Sequence, residues 1–271
     1  MIKKEQDTLK PISIAIITKD EEERLPVCLG SLGFADEVLV VDSGSTDGTV
    51  RVAESFGARV LVEDWKGFSA QKQFAVDHCL HEWVLILDAD EMVPEETARD
   101  IRRILTVEDP TISAYSFRRK NYIHGRWIRG CGWWPDHVVR LVDRRRGRFD
   151  GRMVHEQWIT EGRVQHLYSC IEHFSFKNYS QLVAKMERYS SLGSRELFDS
   201  NAQANALTPV THGLWMFIKT YFLDLGVLNG FDGFVIAVMN AGGSFLKYAK
   251  LREMLKGGAY DGSDRQEGSS H

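Results

Sequence analysis

The sequence predicts an α/β protein: a mostly parallel sheet flanked by helices, followed by a C-terminal helical extension. Three observations carry this. Four short apolar runs occupy residues 12–18, 37–42, 58–63 and 83–88. The first, second and fourth are apolar on both faces, as strands buried between two layers are. Helix-like segments separate them, and that alternation reads as right-handed βαβ units on a parallel sheet.

Each element has a local reason. Asp20 caps a helix over residues 21–32. Ser45 or Asp47 caps one over 49–56, with Gly57 as its stop. Residues 66–80 place Phe68, Ala70, Phe74, Ala75 and Leu80 at helical spacing. Pro94 opens a helix over 94–105, with Glu95 and Glu96 in its first turn. Beyond residue 110 the texture changes. Strands are expected at 112–119 and 137–142, with loops rich in Gly, Trp and Arg. Residues 178–198 form an amphipathic helix, and 214–225 carry a second strong apolar stripe. The uncharged run 233–246 is only 14 residues long, too short to span a bilayer.

Composition narrows the function classes. The chain has 271 residues, 43% hydrophobic and 27% charged, a globular balance with room for a sizeable core. A formal net charge of −4 gives no global basic field for nucleic acid. Cys28, Cys79, Cys131 and Cys170 are widely spaced and form no C-x-x-C pair, which fits core thiols in a reducing compartment. The short apolar run after the basic start lacks the length of a signal core, so the expected location is the cytoplasm. Residues 257–271 read as a frayed tail.

In an open α/β sheet, ligands bind beyond the carboxyl ends of the strands. Strand one ends in Thr18-Lys19-Asp20-Glu21-Glu22. Strand two ends in Asp42-Ser43-Gly44-Ser45-Thr46-Asp47, and strand four in Asp88-Ala89-Asp90-Glu91. Acids gathered in one cleft repel unless a cation or a donor-rich ligand lies between them. Two carboxylates at i and i+2 after a buried strand suit a ribose or a metal–diphosphate unit, because hard divalent cations take carboxylate and phosphate oxygens.

The segments ISIAIITKDEEERLPVCLGSL, EVLVVDSGSTDGTVRVAESFGARV, GFSAQKQFAVDHC and WVLILDADE resemble glycosyltransferase family 2, of GT-A fold. Within it the chain is most similar to the lipopolysaccharide-core glucosyltransferase-like subgroup. The resemblance covers roughly residues 10–175. It implies a catalytic domain over 1–175, with a nucleotide-sugar half at about 10–110 and an acceptor half at 111–175. A helical extension at 176–256 would follow. It further implies that Thr18, Glu22, Asp42 and Ser45 contact a UDP-sugar donor, with Asp42 on the base. Lys72 would approach the donor phosphates or sugar, Asp88 the ribose or sugar, and Asp90 a Mg²⁺ or Mn²⁺ ion, with His173 completing the metal shell. Glu156 is the expected base for the acceptor hydroxyl and Asp136 its competitor. Many family members carry Glu-Asp at this point, where this chain has His155-Glu156.

Residues 118–152 hold eleven basic side chains against three acids, a local charge of +8 interleaved with Tyr122, Trp127, Trp133 and Trp134. Arginine forks bind phosphate and flat rings stack on sugars. The expected acceptor is therefore an anionic membrane glycolipid, met by Trp134, Asp136, Arg140 and His155. The enzyme would sit peripherally on the cytoplasmic face of the inner membrane. Two other readings stand beside this one. A sugar nucleotidyltransferase should carry a Gly-rich loop after strand one, where this chain has Lys19-Asp20-Glu21-Glu22. A catalytically silent glycan-binding module would not need the Asp88/Asp90 pair.

Overall fold

The computed structural model describes residues 9–106, 109–151 and 156–257. His155 and the expected tail beyond Gly257 lie outside the described residues. The chain divides into two compact units. One comprises residues up to Lys120 and Asp136–His173, and the other Asn121–Pro135 and the chain from Phe174.

The first unit opens with β1 (Ile12–Thr18), α1 (Leu25–Gly30), β2 (Glu37–Asp42), α2 (Thr49–Ser55), β3 (Arg59–Val62), α3 (Phe68–Asp77) and β4 (Trp83–Asp88). These four strands run parallel in the order β3-β2-β1-β4. Every residue of β1 is buried, and β4 is buried up to its last residue, so the both-face apolar runs are explained. One layer of the core packs Ile12, Ile14 and Ile16 against Leu25, Leu85 and Leu87. The opposite layer packs Ala15 and Ile17 against Leu39, Ala75, Val76 and Ile86.

Then follow β5 (Glu91–Met92), α4 (Glu95–Thr106), β6 (Ile112–Ile123), β7 (Arg126–Trp127), β8 (His137–Asp143), β9 (Gly147–Phe149), β10 (Trp158–Thr160) and β11 (Arg163–Phe176). The sheet continues past β4 in the order β8-β6-β11-β5. These additions pair antiparallel: β8 on β4, β6 on β8 and β5 on β11. β9 and β10 form a separate antiparallel hairpin.

The helix expected from residue 21 starts only at Leu25, for a physical reason. The amides of Asp20, Glu21 and Glu22 are taken by Ser45 Oγ at 2.8 Å, Thr49 Oγ1 at 2.8 Å and Asp47 Oδ2 at 3.2 Å. Asp20 does not cap the helix: it sits at φ +52 and accepts from the Thr46 amide at 2.8 Å. Glu22 accepts from the Gly48 amide at 2.9 Å, and a Cβ at Gly48 would stand 2.3 Å from Glu22 Oε1. The loops after β1 and β2 are thus stitched together.

The second unit contains α5 (Tyr179–Asp199), α6 (Thr208–Ile218) and α7 (Gly230–Leu255). Asn178 caps α5 by accepting from the Gln181 amide at 3.0 Å. A π-helical turn, Lys219–Leu223, extends α6, and a 3₁₀ turn, Gly226–Asn229, leads into α7. The expected stripe at 214–225 thus runs through α6 into the π turn. Among the described residues, no single helix is long and apolar enough to cross a membrane. The two segments Thr208–Leu223 and Gly226–Leu255, bent by 68° at the break, are apolar enough only together.

Candidate functional site

The parallel register sets the site. Thr18 pairs with Asp42, and Ile17 with Asp88, so the carboxyl ends of β1, β2 and β4 finish at one level. Asp42 is buried, and its Oδ2 accepts from the amides of Gly44 at 3.0 Å and Ser45 at 2.8 Å; the Ser45 hydroxyl donates to its Oδ1. This carboxylate shapes the turn after β2, where Gly44 lies at φ +80, a conformation glycine adopts without steric cost. Among the described residues the Thr18 hydroxyl, buried at the end of β1, has no hydrogen-bond partner, and neither does Gln71 Oε1. Buried polar atoms are ordinarily satisfied, so an unsatisfied one at a strand end marks a place for a ligand or water.

Asp88 is the centre of a charged array. Lys72, on α3 and 3% exposed, reaches its Oδ1 at 2.9 Å. The same ammonium donates to Glu156 Oε1 at 2.8 Å. From the other side Arg140, on β8 and 5% exposed, donates to Asp88 Oδ2 at 2.8 Å and to Glu91 Oε1 at 2.5 Å. Burial pushes the Asp88 carboxyl up, but Lys72 and Arg140 outweigh it and hold the group well below the usual carboxylate range. Burial disfavours the Arg140 charge, yet Glu91 and Asp88 keep it firmly protonated.

Glu91 was missed by the sequence reading. It is 1% exposed, it accepts from the Asp88 amide through Oε2 at 3.1 Å, and its Oε1 faces Arg140 and, at 3.5 Å, Arg119. The signal that would have found it is the pairing of β5 with β11, which is non-local. Asp136 is gripped by Arg119 from Nε and Nη2, both at 2.9 Å. Asp90 Oδ2 stands 3.4 Å from His173 Nε2 and 3.5 Å from Arg24. Trp134 belongs to the second unit, where it stands edge-on to Trp127 with ring centroids 5.0 Å apart.

Much of the basic segment is satisfied inside the protein. Besides Arg119 and Arg140, Arg145 meets Asp143 at 2.8 Å and Arg146 donates to the Pro110 carbonyl at 2.7 Å. Asp90 and His173, the two residues expected to hold a divalent ion, are brought together from the β4–β5 turn and β11. Among the described residues no group of three or more such side chains converges. Two protein donors fit a hard cation whose other positions are filled by substrate phosphate and water.

Comparison with known proteins matches residues 13–160 to the family model described as glycosyl transferase family 2. An uncharacterized glycosyltransferase of Rickettsia typhi is 32% identical over 257 residues, spanning 91% of this chain and 88% of that one. The lipopolysaccharide core biosynthesis glycosyltransferase LpsC of Rhizobium meliloti is 30% identical over 260 residues, spanning 91% and 94%. Among solved structures, the glucosyl-3-phosphoglycerate synthase of Mycobacterium tuberculosis, with Mn²⁺ and UDP, is similar at 23% identity and a TM-score of 0.34. That match covers 42% of this chain and 44% of that one.

Proposed function

The chain belongs to glycosyltransferase family 2, and on that premise we propose that it moves a hexose from a UDP-sugar to a hydroxyl of a bacterial membrane glycolipid, such as a lipopolysaccharide core. The observation that carries this reading is the Asp88–Lys72–Glu156 array at the ends of the parallel strands. The relative LpsC, named for lipopolysaccharide core biosynthesis, supports the acceptor class. Such an enzyme works peripherally at the cytoplasmic face of the inner membrane.

Thr18 and Asp42 contact the nucleotide, with Glu22 and Ser45 fixing the loops around it. Lys72 and Asp88 face the phosphates and the sugar. Asp90 and His173 would hold Mg²⁺ or Mn²⁺, which when bound offsets the charge gathering on the departing UDP. Glu156 takes the proton of the acceptor hydroxyl on Oε2, while Oε1 stays with Lys72. The acceptor oxygen forms its bond to the anomeric carbon as the carbon–oxygen bond to UDP breaks on the opposite face, inverting the centre in one displacement. Asp136, whose Oδ2 accepts from both Nε and Nη2 of Arg119, is the competing candidate for the base. Trp134, Arg140 and His155 belong to the acceptor side of this reading. The geometry of Arg140 gives it a further role, since it clamps Asp88 and Glu91.

The test is UDP release from UDP-hexoses with a delipidated and an intact core glycolipid as acceptors. Acceptor-dependent release that Glu156→Gln suppresses supports the reading. Release that survives Glu156→Gln and collapses in Asp136→Asn would reassign the base.

A further inference from the structure

The second unit leaves apolar side chains uncovered where a globular protein would bury them. Along α6, the π turn and the start of α7, Trp215, Phe222, Leu223, Leu225, Leu228 and Phe231 are all exposed, Leu228 and Phe231 by 71% and 70%. The pattern is periodic. On α6 and its extension, 214, 218 and 222 share one side, and on α7 so do 231, 234 and 238, while Gly213, Gly233, Ile236 and Ala237 face inward.

The charges of this stretch are neutralised. Between Asn205 and Lys247 the only Asp, Glu, Lys or Arg side chains are Lys219, Asp224 and Asp232, with His212 as the one histidine. Lys219 pairs with Asp224 at 2.7 Å. Asp232 accepts from the Tyr179 hydroxyl at 2.7 Å and faces Arg126 at 3.4 Å. The Lys219–Asp224 pair therefore presents no net charge to whatever covers the face, while Arg126, half exposed at the rim, leaves Asp232 paired.

At the neck of the bend the composition reverses. Arg126, Trp127 and Arg129 gather there, with the Arg129 amide on Asn229 Oδ1 at 3.0 Å and the Arg129 guanidinium over the Trp127 ring at 4.4 Å. An apolar tip rimmed by Arg and Trp is the composition of a bilayer interface, where cationic ends meet anionic headgroups and indoles sit at headgroup level. Leu225, at the bend itself, holds φ +56 with its side chain exposed. A glycine would suit that backbone better, so this leucine serves neither the turn nor the core.

We propose that this bent hairpin is a monotopic wedge. The turn between α6 and α7 inserts into the hydrocarbon of one leaflet of a lipid bilayer, with Arg126, Trp127 and Arg129 at headgroup level, and does not cross to the other side. The proposal deepens the membrane-glycolipid reading above and rests on it. The 68° bend between the two helices suits entry and return through one leaflet, because neither helix alone is long and apolar enough to cross.

The test is flotation of the full chain with vesicles of phosphatidylethanolamine and phosphatidylglycerol. Wild type floats, and it still floats in about 1 M KCl, where a Debye length of ~3 Å removes purely ionic adhesion. The exposed-site double variant Leu228→Glu/Phe231→Glu loses at least about tenfold of the bound fraction, while its thermal response to UDP with Mn²⁺ stays that of wild type. Leu223→Lys gives the same loss independently. Lys219→Met/Asp224→Leu, which deletes the ion pair, keeps wild-type flotation. Equal flotation of wild type and both charge-introducing variants overturns the wedge. So does a wild type that does not float, or one that sediments as a dimer through this face and becomes monomeric in the double variant. Absence of any UDP response with flotation intact would remove the transferase reading and leave the wedge standing.

Discussion

The two units break the same rule in opposite directions. In the first, charges are buried: Lys72, Glu91 and Arg140, joined through the partly exposed Asp88, form a chain of ion pairs at the end of an apolar sheet. In the second, apolar groups are exposed: Trp215, Leu228 and Phe231 lie open along a helical bend whose few charges cancel. Burying charge costs several kcal/mol per ion unless partners restore what water supplied. Exposing a large side chain forgoes ~1.5–3 kcal/mol of burial. These two departures are where the proposals above place an outside partner, a charged substrate in one case and an apolar phase in the other.

Glu156→Gln carries the largest expected effect. We expect kcat to fall by about 10²–10⁴-fold with UDP affinity retained. Steady-state kinetics and UDP binding check this, and a near-normal kcat would release Glu156 from the array. Next is Asp88→Asn. Lys72 keeps Glu156 and Arg140 keeps Glu91, so losing one counter-charge each costs about 1.5–3 kcal/mol and should be read as a lowered unfolding midpoint in urea.

The pH dependence of the same residue follows from its depressed pKa. A carboxyl lower in the folded than in the unfolded chain contributes stability that is complete above the unfolded value of about 3.9 and is lost as pH falls below it, toward the folded value. Thermal melts between pH 7 and pH 2 should therefore show wild type losing stability below about pH 4, with Asp88→Asn losing less.

Asp136→Asn should be milder, lowering kcat by less than about tenfold if the carboxylate only anchors Arg119; a larger loss would make it the base. The smallest effect concerns the thiols. Burial pushes Cys79 and Cys131 up to about 12, and Cys28 and Cys170 are also raised by burial. All four should resist alkylation at pH 8 until the protein unfolds, as a timed thiol assay in urea would show.

The parallel half of the fold was legible in the sequence because its strands are buried on both sides. Apolar runs with no alternation gave β1, β2 and β4 at their observed ends. The clustering of Asp42 and Asp88 followed from the rule that strand ends meet. What lay beyond reading was every feature made by non-local pairing. Glu91 looked like a loop residue, yet β11 draws it into the sheet and makes it the partner of two arginines. Arg119 and Arg140 looked like part of a basic surface, yet both face acids. The start of α1 is set in the same non-local way, since side chains of the loop after β2 hold the amides of Asp20 and Glu21 in a turn ahead of it. The apolar stripe of residues 214–225 was visible as periodicity, but periodicity does not say which face a neighbour covers.

We propose that the strand-end acids form a metal-assisted UDP-sugar site. The direct measurement is the thermal stability of the full chain with UDP, ADP and CDP, with and without Mn²⁺. A ligand at 100 times its Kd adds ~2.7 kcal/mol to native stability. We predict a Mn²⁺-dependent rise with UDP, absent with ADP and CDP, and abolished in Asp90→Ala. A rise of equal size with all three nucleotides, or none with any, would contradict it.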